Sequence, residues 1–141
     1  MLPILYSFRR CPYAISARMA LAYSGIEVEL REVFLKDKPD AMLRASPKGT
    51  VPVMVLPDST VIDESIDIIF WALGQSDPEG WLQNDLATPT NSLIDENDSV
   101  FKTNLDSYKY WHPGREKSRE HYLAEAEKFL RRLEHELEQQ T

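Results

Sequence analysis

The sequence predicts an α/β domain of order β-α-β-α-β-β-α over residues 1–74, a linker at 75–85 and a partial all-α domain of two long helices over 86–141. Three observations carry this reading. Short apolar runs alternate with amphipathic stretches as far as Leu73. The segment Gly74-Gln75-Ser76-Asp77-Pro78-Glu79-Gly80-Trp81 then breaks the pattern with Gly and Pro. Beyond it only helical periodicity remains, and most of the chain's acidic excess falls there.

Leu2 to Phe8 is apolar and aromatic and stops at Arg9-Arg10, which reads as a first buried strand. Pro12 suits the first position of a following helix, where its missing N–H costs no hydrogen bond, so Cys11 is placed at the N-cap. Ile15, Met19, Ala22 and Tyr23 then share one face until Gly25 ends the helix. Glu27 to Phe34 alternates polar residues with Val28, Leu30 and Val33, and Pro39 opens a short helix through Met42 and Leu43. Val53 to Leu56, the turn Pro57-Asp58-Ser59 and Thr60 to Ile62 form a hairpin, followed by a helix marked by Ile66, Ile69, Phe70 and Leu73.

In the later part Leu93, Asn97, Val100, Phe101, Leu105 and Tyr108 recur at helical spacing until His112-Pro113-Gly114. The last helix carries Leu123, Ala126, Leu130, Leu133 and Leu137 in a 3-4 pattern. Those two stripes are expected to bury each other in a helix hairpin, leaving Phe101, Tyr110, Trp111 and Phe129 short of cover and favouring a homodimer.

Composition narrows the function. A chain of 141 residues with 43% apolar and 28% charged residues has ordinary globular usage, which excludes a disordered or disulfide-dense class. Its net charge of −7 disfavours an electrostatic grip on nucleic acid or anionic lipid. No apolar run reaches the roughly 18–20 residues of a spanning helix, so no membrane role is expected. The N-terminus lacks the basic start and apolar core of a signal peptide, and the single Cys11 has no internal disulfide partner; both favour a cytoplasmic setting. His112, His121 and His135 have no metal-ligand spacing, so no metal is expected.

Three local patterns bear on chemistry. In Arg10-Cys11-Pro12-Tyr13-Ala14 the free amides and positive end of a helix face the cysteine sulfur and favour thiolate over thiol, and Arg9 and Arg10 add to this if they turn inward. The plainer alternative is a small buried hydrophobe. Ala14 stands where a C-x-x-C pair has its second sulfur, which excludes an intramolecular dithiol reaction. In Gly49-Thr50-Val51-Pro52-Val53 the proline is a candidate cis peptide that leaves the Val51 N–H and C=O for an extended ligand backbone; a proline that merely starts a strand is the alternative. Asp63-Glu64-Ser65 precedes a helix whose free amides suit a carboxylate, with an acid beside them for an ammonium; simple capping by Asp63 or Ser65 is the alternative.

Tyr6-Ser7-Phe8-Arg9-Arg10-Cys11-Pro12-Tyr13-Ala14, Lys36-Asp37-Lys38-Pro39, Gly49-Thr50-Val51-Pro52-Val53 and Asp63-Glu64-Ser65 together resemble the N-terminal thioredoxin-fold domain of cytosolic glutathione transferases. Among these the chain is most similar to cysteine-type members such as the omega class, and to the two-domain glutaredoxin 2. The resemblance covers about residues 2–73, and the later half is only loosely similar to the family's helical domain. It implies a thioredoxin-like fold, glutathione as co-substrate and Cys11 as the catalytic thiol. Val51, before a cis Pro52, would pair with the cysteinyl backbone of glutathione. Glu64 and Ser65 would hold its γ-glutamyl end, Lys38 would meet the glycine carboxylate and Tyr13 would pack beside the sulfur. The implied activity is that of a glutathione transferase or thiol transferase, by mixed-disulfide exchange, deglutathionylation or conjugation, on a small electrophile or disulfide. The alternative is a non-catalytic binding module of the same fold. Family members carry further helices, so part of the electrophile pocket is expected to be missing from this chain.

Overall fold

The computed structural model describes residues 1–82 and 84–139, with side-chain surroundings for all of these except 84–89. The expected linker includes Gln83, and the expected helical part includes Gln140 and Thr141; these three lie outside the described residues. The chain forms two compact units, Met1–Leu82 and Gln83–Thr141.

The first unit runs β1 (Ile4–Ser7), α1 (Pro12–Tyr23), β2 (Glu29–Glu32), α2 (Asp40–Ala45), β3 (Val53–Val55), β4 (Val61–Ile62) and α3 (Ser65–Gln75), the order the sequence predicts. The strands form one four-stranded sheet in the order β2-β1-β3-β4. β1 is parallel to β2 and antiparallel to β3, and β3 is antiparallel to β4. Because strand side chains alternate, β1 and β3 feed two cores. Leu5 and Met54 join Ala17, Ala20, Leu21, Ile68 and Ala72 in the core built with α1 and α3. Tyr6 and Val53 join Val33 and Met42 in a second core with α2.

Two expected faces are corrected. On α1 the buried residues are Ala14, Ala17, Ala20 and Leu21, whereas Ile15 and Met19 are 37% and 62% exposed and Ala22 is exposed. Small alanines permit the close approach of α1 and α3, which pack together, and that requirement outweighs the larger side chains as a guide to the buried face. On α3 the buried residues are Ile68, Ala72 and Leu73, and Phe70 is exposed. Leu30 is also exposed, since β2 is an edge strand with all four residues in solvent. Gly25 ends α1 with φ 69°, a left-handed conformation that lets the Ile26 N–H donate back to the Leu21 carbonyl at 2.9 Å.

After α3 the chain turns around Asp77. Its carboxylate accepts from the Trp81 and Leu82 N–H groups, each at 2.8 Å, and from the Tyr23 hydroxyl at 3.0 Å. These donors hold the Asp77 carboxyl below the usual range, the Leu82 amide being the largest influence. The Trp81 ring stacks on Tyr23 at 3.7 Å.

In the second unit the first expected helix consists of α4 (Asn84–Glu96), a π-helical stretch (Asn97–Phe101) and α5 (Lys102–Lys109), followed by α6 (Arg119–Glu138). Ser118 caps α6, its hydroxyl accepting from the His121 N–H at 3.1 Å. α5 and α6 pack together. Of the expected stripe on α6, Ala126 is buried and Leu133 half-buried, while Leu123, Leu130 and Leu137 are exposed and Phe129 is buried in their place. Phe129 is covered, its ring 5.2 Å from that of half-buried Phe101, whereas Tyr110 and Trp111 are exposed as expected. Phe129 joins Ala126 on the buried face because its ring meets Phe101 across the helix seam.

Candidate active site

β1 ends at Ser7 and the chain turns through Phe8 to Cys11, whose N–H donates to the Phe8 carbonyl at 3.0 Å. Cys11 has extended backbone (φ −77°, ψ 120°) and is the N-cap of α1, with Pro12 at the first helical position. Its carbonyl accepts from the Ile15 N–H at 2.9 Å, closing the first helical turn. The first-turn amides of α1 have no intrahelical acceptors, as at any helix start. The thiol is free and half-buried, and Sγ donates to the Val51 carbonyl at 3.7 Å.

Sheet register explains that last contact. β3 lies antiparallel to β1 with Val53 opposite Tyr6, so the residues just before β3 stand beside those just after β1. The Val51–Pro52 peptide is cis, with Pro52 buried and Val51 half-buried. Gly49, with φ 63°, donates its N–H to the Ser46 carbonyl at 3.0 Å and shapes the loop that leads there. A Cβ at Gly49 would come within 3.2 Å of Leu43 and 3.6 Å of Lys38 Nζ, so the half-buried Lys38 side chain lies against this loop.

At the start of α3, Glu64 takes the N-cap position, its carbonyl accepting from the Ile68 N–H at 3.0 Å; its carboxylate makes no cap hydrogen bond. Ser65 follows as the first helical residue. Capping by Asp63 or Ser65 is therefore not what the structure shows. Asp63 instead accepts from the buried Ser46 hydroxyl at 2.7 Å and lies 3.5 Å from Lys48 Nζ. The Ser46 hydroxyl, more than Lys48, holds the Asp63 carboxyl below its ordinary value against the opposing effect of burial. Lys48 is ion-paired with Glu64, whose carboxylate raises the Lys48 ammonium above its usual value.

Cys11, Val51 and Pro52 thus form one cluster and Glu64 and Ser65 lie in a second, with Lys38 against the connecting loop. Tyr13 is half-buried on the first turn of α1 and its carbonyl accepts from the Ser16 hydroxyl at 2.8 Å. Arg9 and Arg10 are exposed, so the inward turn considered for them is absent; the guanidinium that does turn toward this loop is that of Arg18. Sequence reasoning missed Arg18, Ser46 and Lys48. Only Arg18 left a signal, since it lies two helical turns beyond Cys11 on the same face. Among the described residues no three His, Cys, Asp or Glu side chains gather as a metal site requires. Among the same residues no helix is long and apolar enough to cross a membrane.

A mixed four-stranded sheet in this order, with a cysteine opening α1 and a cis proline facing it, defines a thioredoxin-like domain. Comparison with known proteins narrows the class. Residues 5–80, more than half of the chain, match the family described as Glutathione S-transferase, N-terminal domain. The chain belongs to that family. Mouse glutathione S-transferase omega-2 is 37% identical over 62 residues, 44% of this chain and 25% of that protein. Glutaredoxin 2 of Escherichia coli is 36% identical over 67 residues, 48% of this chain and 31% of that protein. The matched stretch therefore spans less than a third of either relative. The crystal structure of glutathione transferase Omega 3C from Trametes versicolor superposes with a TM-score of 0.79 at 22% identity, covering 94% of this chain and 57% of that one, and so shares the fold.

Proposed function

We propose that the chain acts on glutathione through the Cys11 sulfur, as a glutathione-dependent thiol transferase. The observation that carries this is the half-buried thiol at the start of α1, 3.7 Å from the carbonyl that precedes the cis proline. The first-turn amides of α1, which have no intrahelical acceptors, lie at this same end of the helix. The thiolate attacks the glutathionyl sulfur of a mixed disulfide, forming a Cys11–glutathione disulfide and releasing the other half as its thiolate. A second glutathione thiolate then attacks the glutathionyl sulfur, giving glutathione disulfide and restoring Cys11. With Ala14 in place of a second cysteine, the monothiol route is the one this sequence permits.

The surroundings suit the tripeptide. The backbone of Val51, whose C=O lies next to the sulfur, pairs with the cysteinyl backbone, and Lys38 meets the glycine carboxylate. The γ-glutamyl end is a zwitterion. Its ammonium goes to Glu64 and its carboxylate to the Ser65 amide and to Lys48, which exchanges one carboxylate partner for another. Tyr13 packs beside the sulfur. A homodimer and a cytoplasmic setting belong to the same reading and rest on the sequence alone. The test is turnover of a glutathionylated peptide with glutathione as reductant: the native chain turns it over and Cys11→Ser does not. Retained glutathione binding without turnover in the native chain selects the binding-module alternative instead.

A further inference from the structure

We propose that Arg18 is a positioning residue for Cys11, its guanidinium holding the turn between β1 and α1 in the shape that sets the sulfur at the helix start. The inference rests on the reading of Cys11 as the reacting thiol. Arg18 lies on α1, two turns after Cys11, and helical side chains lean toward the N-terminus, so its head reaches back to the loop that delivers the cysteine. Nη1 donates to the Ser7 hydroxyl at 2.6 Å and to the Phe8 carbonyl at 3.4 Å; Nη2 donates to the Arg9 carbonyl at 3.2 Å. The Phe8 carbonyl is the same one that receives the Cys11 N–H at 3.0 Å, so one oxygen joins the guanidinium to the backbone of the cysteine.

The far side of the turn is fixed independently. The Arg9 N–H donates to Glu32 on β2 at 2.9 Å, and the Val33 N–H donates to the Ser7 carbonyl at 2.8 Å. The turn is therefore held between β2 and Arg18. The three contacts are divided between two nitrogens of one rigid plane, Nη1 and Nη2, a spacing that the three N–H groups of a single ammonium nitrogen do not reproduce. Ser7 is fully buried, and its hydroxyl has Arg18 as its partner. All three acceptors are neutral, so the guanidinium acts on this turn through hydrogen bonds to a hydroxyl and two backbone carbonyls rather than through an ion pair.

The experiment compares native protein with Arg18→Met, Arg18→Lys and Ser7→Ala. Each is measured for glutathione-dependent turnover of a glutathionylated peptide and for hydrogen exchange of the Cys11 amide and the amides of α3, which packs on α1 in the same unit. Misplacing a reacting group by about 1 Å costs on the order of 100-fold, so Arg18→Met is expected to lower kcat roughly 10- to 100-fold with KM for glutathione within about twofold. Its Cys11 amide exchanges faster while the α3 amides keep their protection. Arg18→Lys restores the charge but only part of kcat, and Ser7→Ala, which leaves both carbonyl contacts, loses less than Arg18→Met. A kcat within about twofold of native in both Arg18 variants overturns the proposal. So does an unchanged Cys11 amide in Arg18→Met. If Arg18→Met does not fold, Arg18→Lys and Ser7→Ala decide by the same two readouts. A native chain without turnover overturns the thiol-transferase reading, and the Cys11 amide comparison then still decides whether Arg18 holds the turn.

Discussion

Replacing Lys48 by Met removes the cation that stands between Asp63 and Glu64 while keeping most of its apolar stem. The effect on stability is small. The side chains of Lys48, Asp63 and Glu64 are 37%, 38% and 61% exposed, and ion pairs so open to water contribute about 0–1 kcal/mol. Asp63 also keeps its hydrogen bond from Ser46. Binding is affected more. If Lys48 receives the carboxylate of the γ-glutamyl end, the variant loses one charge-assisted hydrogen bond of about 1.5–3 kcal/mol. Releasing Lys48 from Glu64 offsets up to about 1 kcal/mol of this in the native protein, leaving at least about 0.5–2 kcal/mol, or roughly 2- to 30-fold in affinity. The assay is calorimetric titration with glutathione and with an analogue lacking the γ-glutamyl α-carboxylate, alongside steady-state kinetics. Glutathione should bind Lys48→Met more weakly by that factor, the analogue should bind both proteins alike, and KM should rise with kcat retained, since the contact is made in ground and transition states alike. Equal affinity of the two proteins for glutathione, or an equal loss for the analogue, would show that Lys48 does not receive the γ-glutamyl carboxylate.

Ser46→Ala removes the main influence that holds Asp63 below its ordinary value, so the Asp63 carboxyl should titrate higher in this variant when followed by side-chain NMR. A depressed carboxyl stabilises the fold above its unfolded value, near 3.9 for Asp, and that contribution is lost as the pH falls through the lower folded value. The native chain should accordingly lose more stability than Ser46→Ala between about pH 4 and pH 2, read from thermal melts across that range. In the helical unit, Phe129→Ala empties a site only 4% exposed and should destabilise by about 3–5 kcal/mol. Leu130→Ala, at a residue 50% exposed, should cost less than about 1 kcal/mol, and chemical denaturation of the two variants reversing that order would contradict the α6 packing.

The order of elements was legible because it rests on local signals: the apolar run of β1, Pro12 at the helix start, the Pro57-Asp58-Ser59 turn and the breakers after α3. The buried faces were less legible. Periodicity marks several stripes on α1, and the alanine stripe wins only because α3 packs against it, a fact of tertiary structure. On α6 the leucine heptad draws attention, yet Phe129 takes the seam because Phe101 lies opposite. The Cys11 site was readable for the opposite reason, since an N-cap cysteine before proline is a short-range pattern. Arg18 acts through a hydroxyl and backbone carbonyls, and Lys48 through acids that β3 and β4 separate from it in the chain, so neither partner set is visible without the fold.

The central claim, that Cys11 exchanges disulfides with glutathione, is tested most directly by intact mass of the folded chain after exposure to glutathione disulfide. One glutathione adduct per chain is expected, mapped to Cys11, formed faster than on the urea-unfolded chain and removed by reduced glutathione. A folded chain that takes up no adduct, or takes it up no faster than the unfolded one, would contradict it.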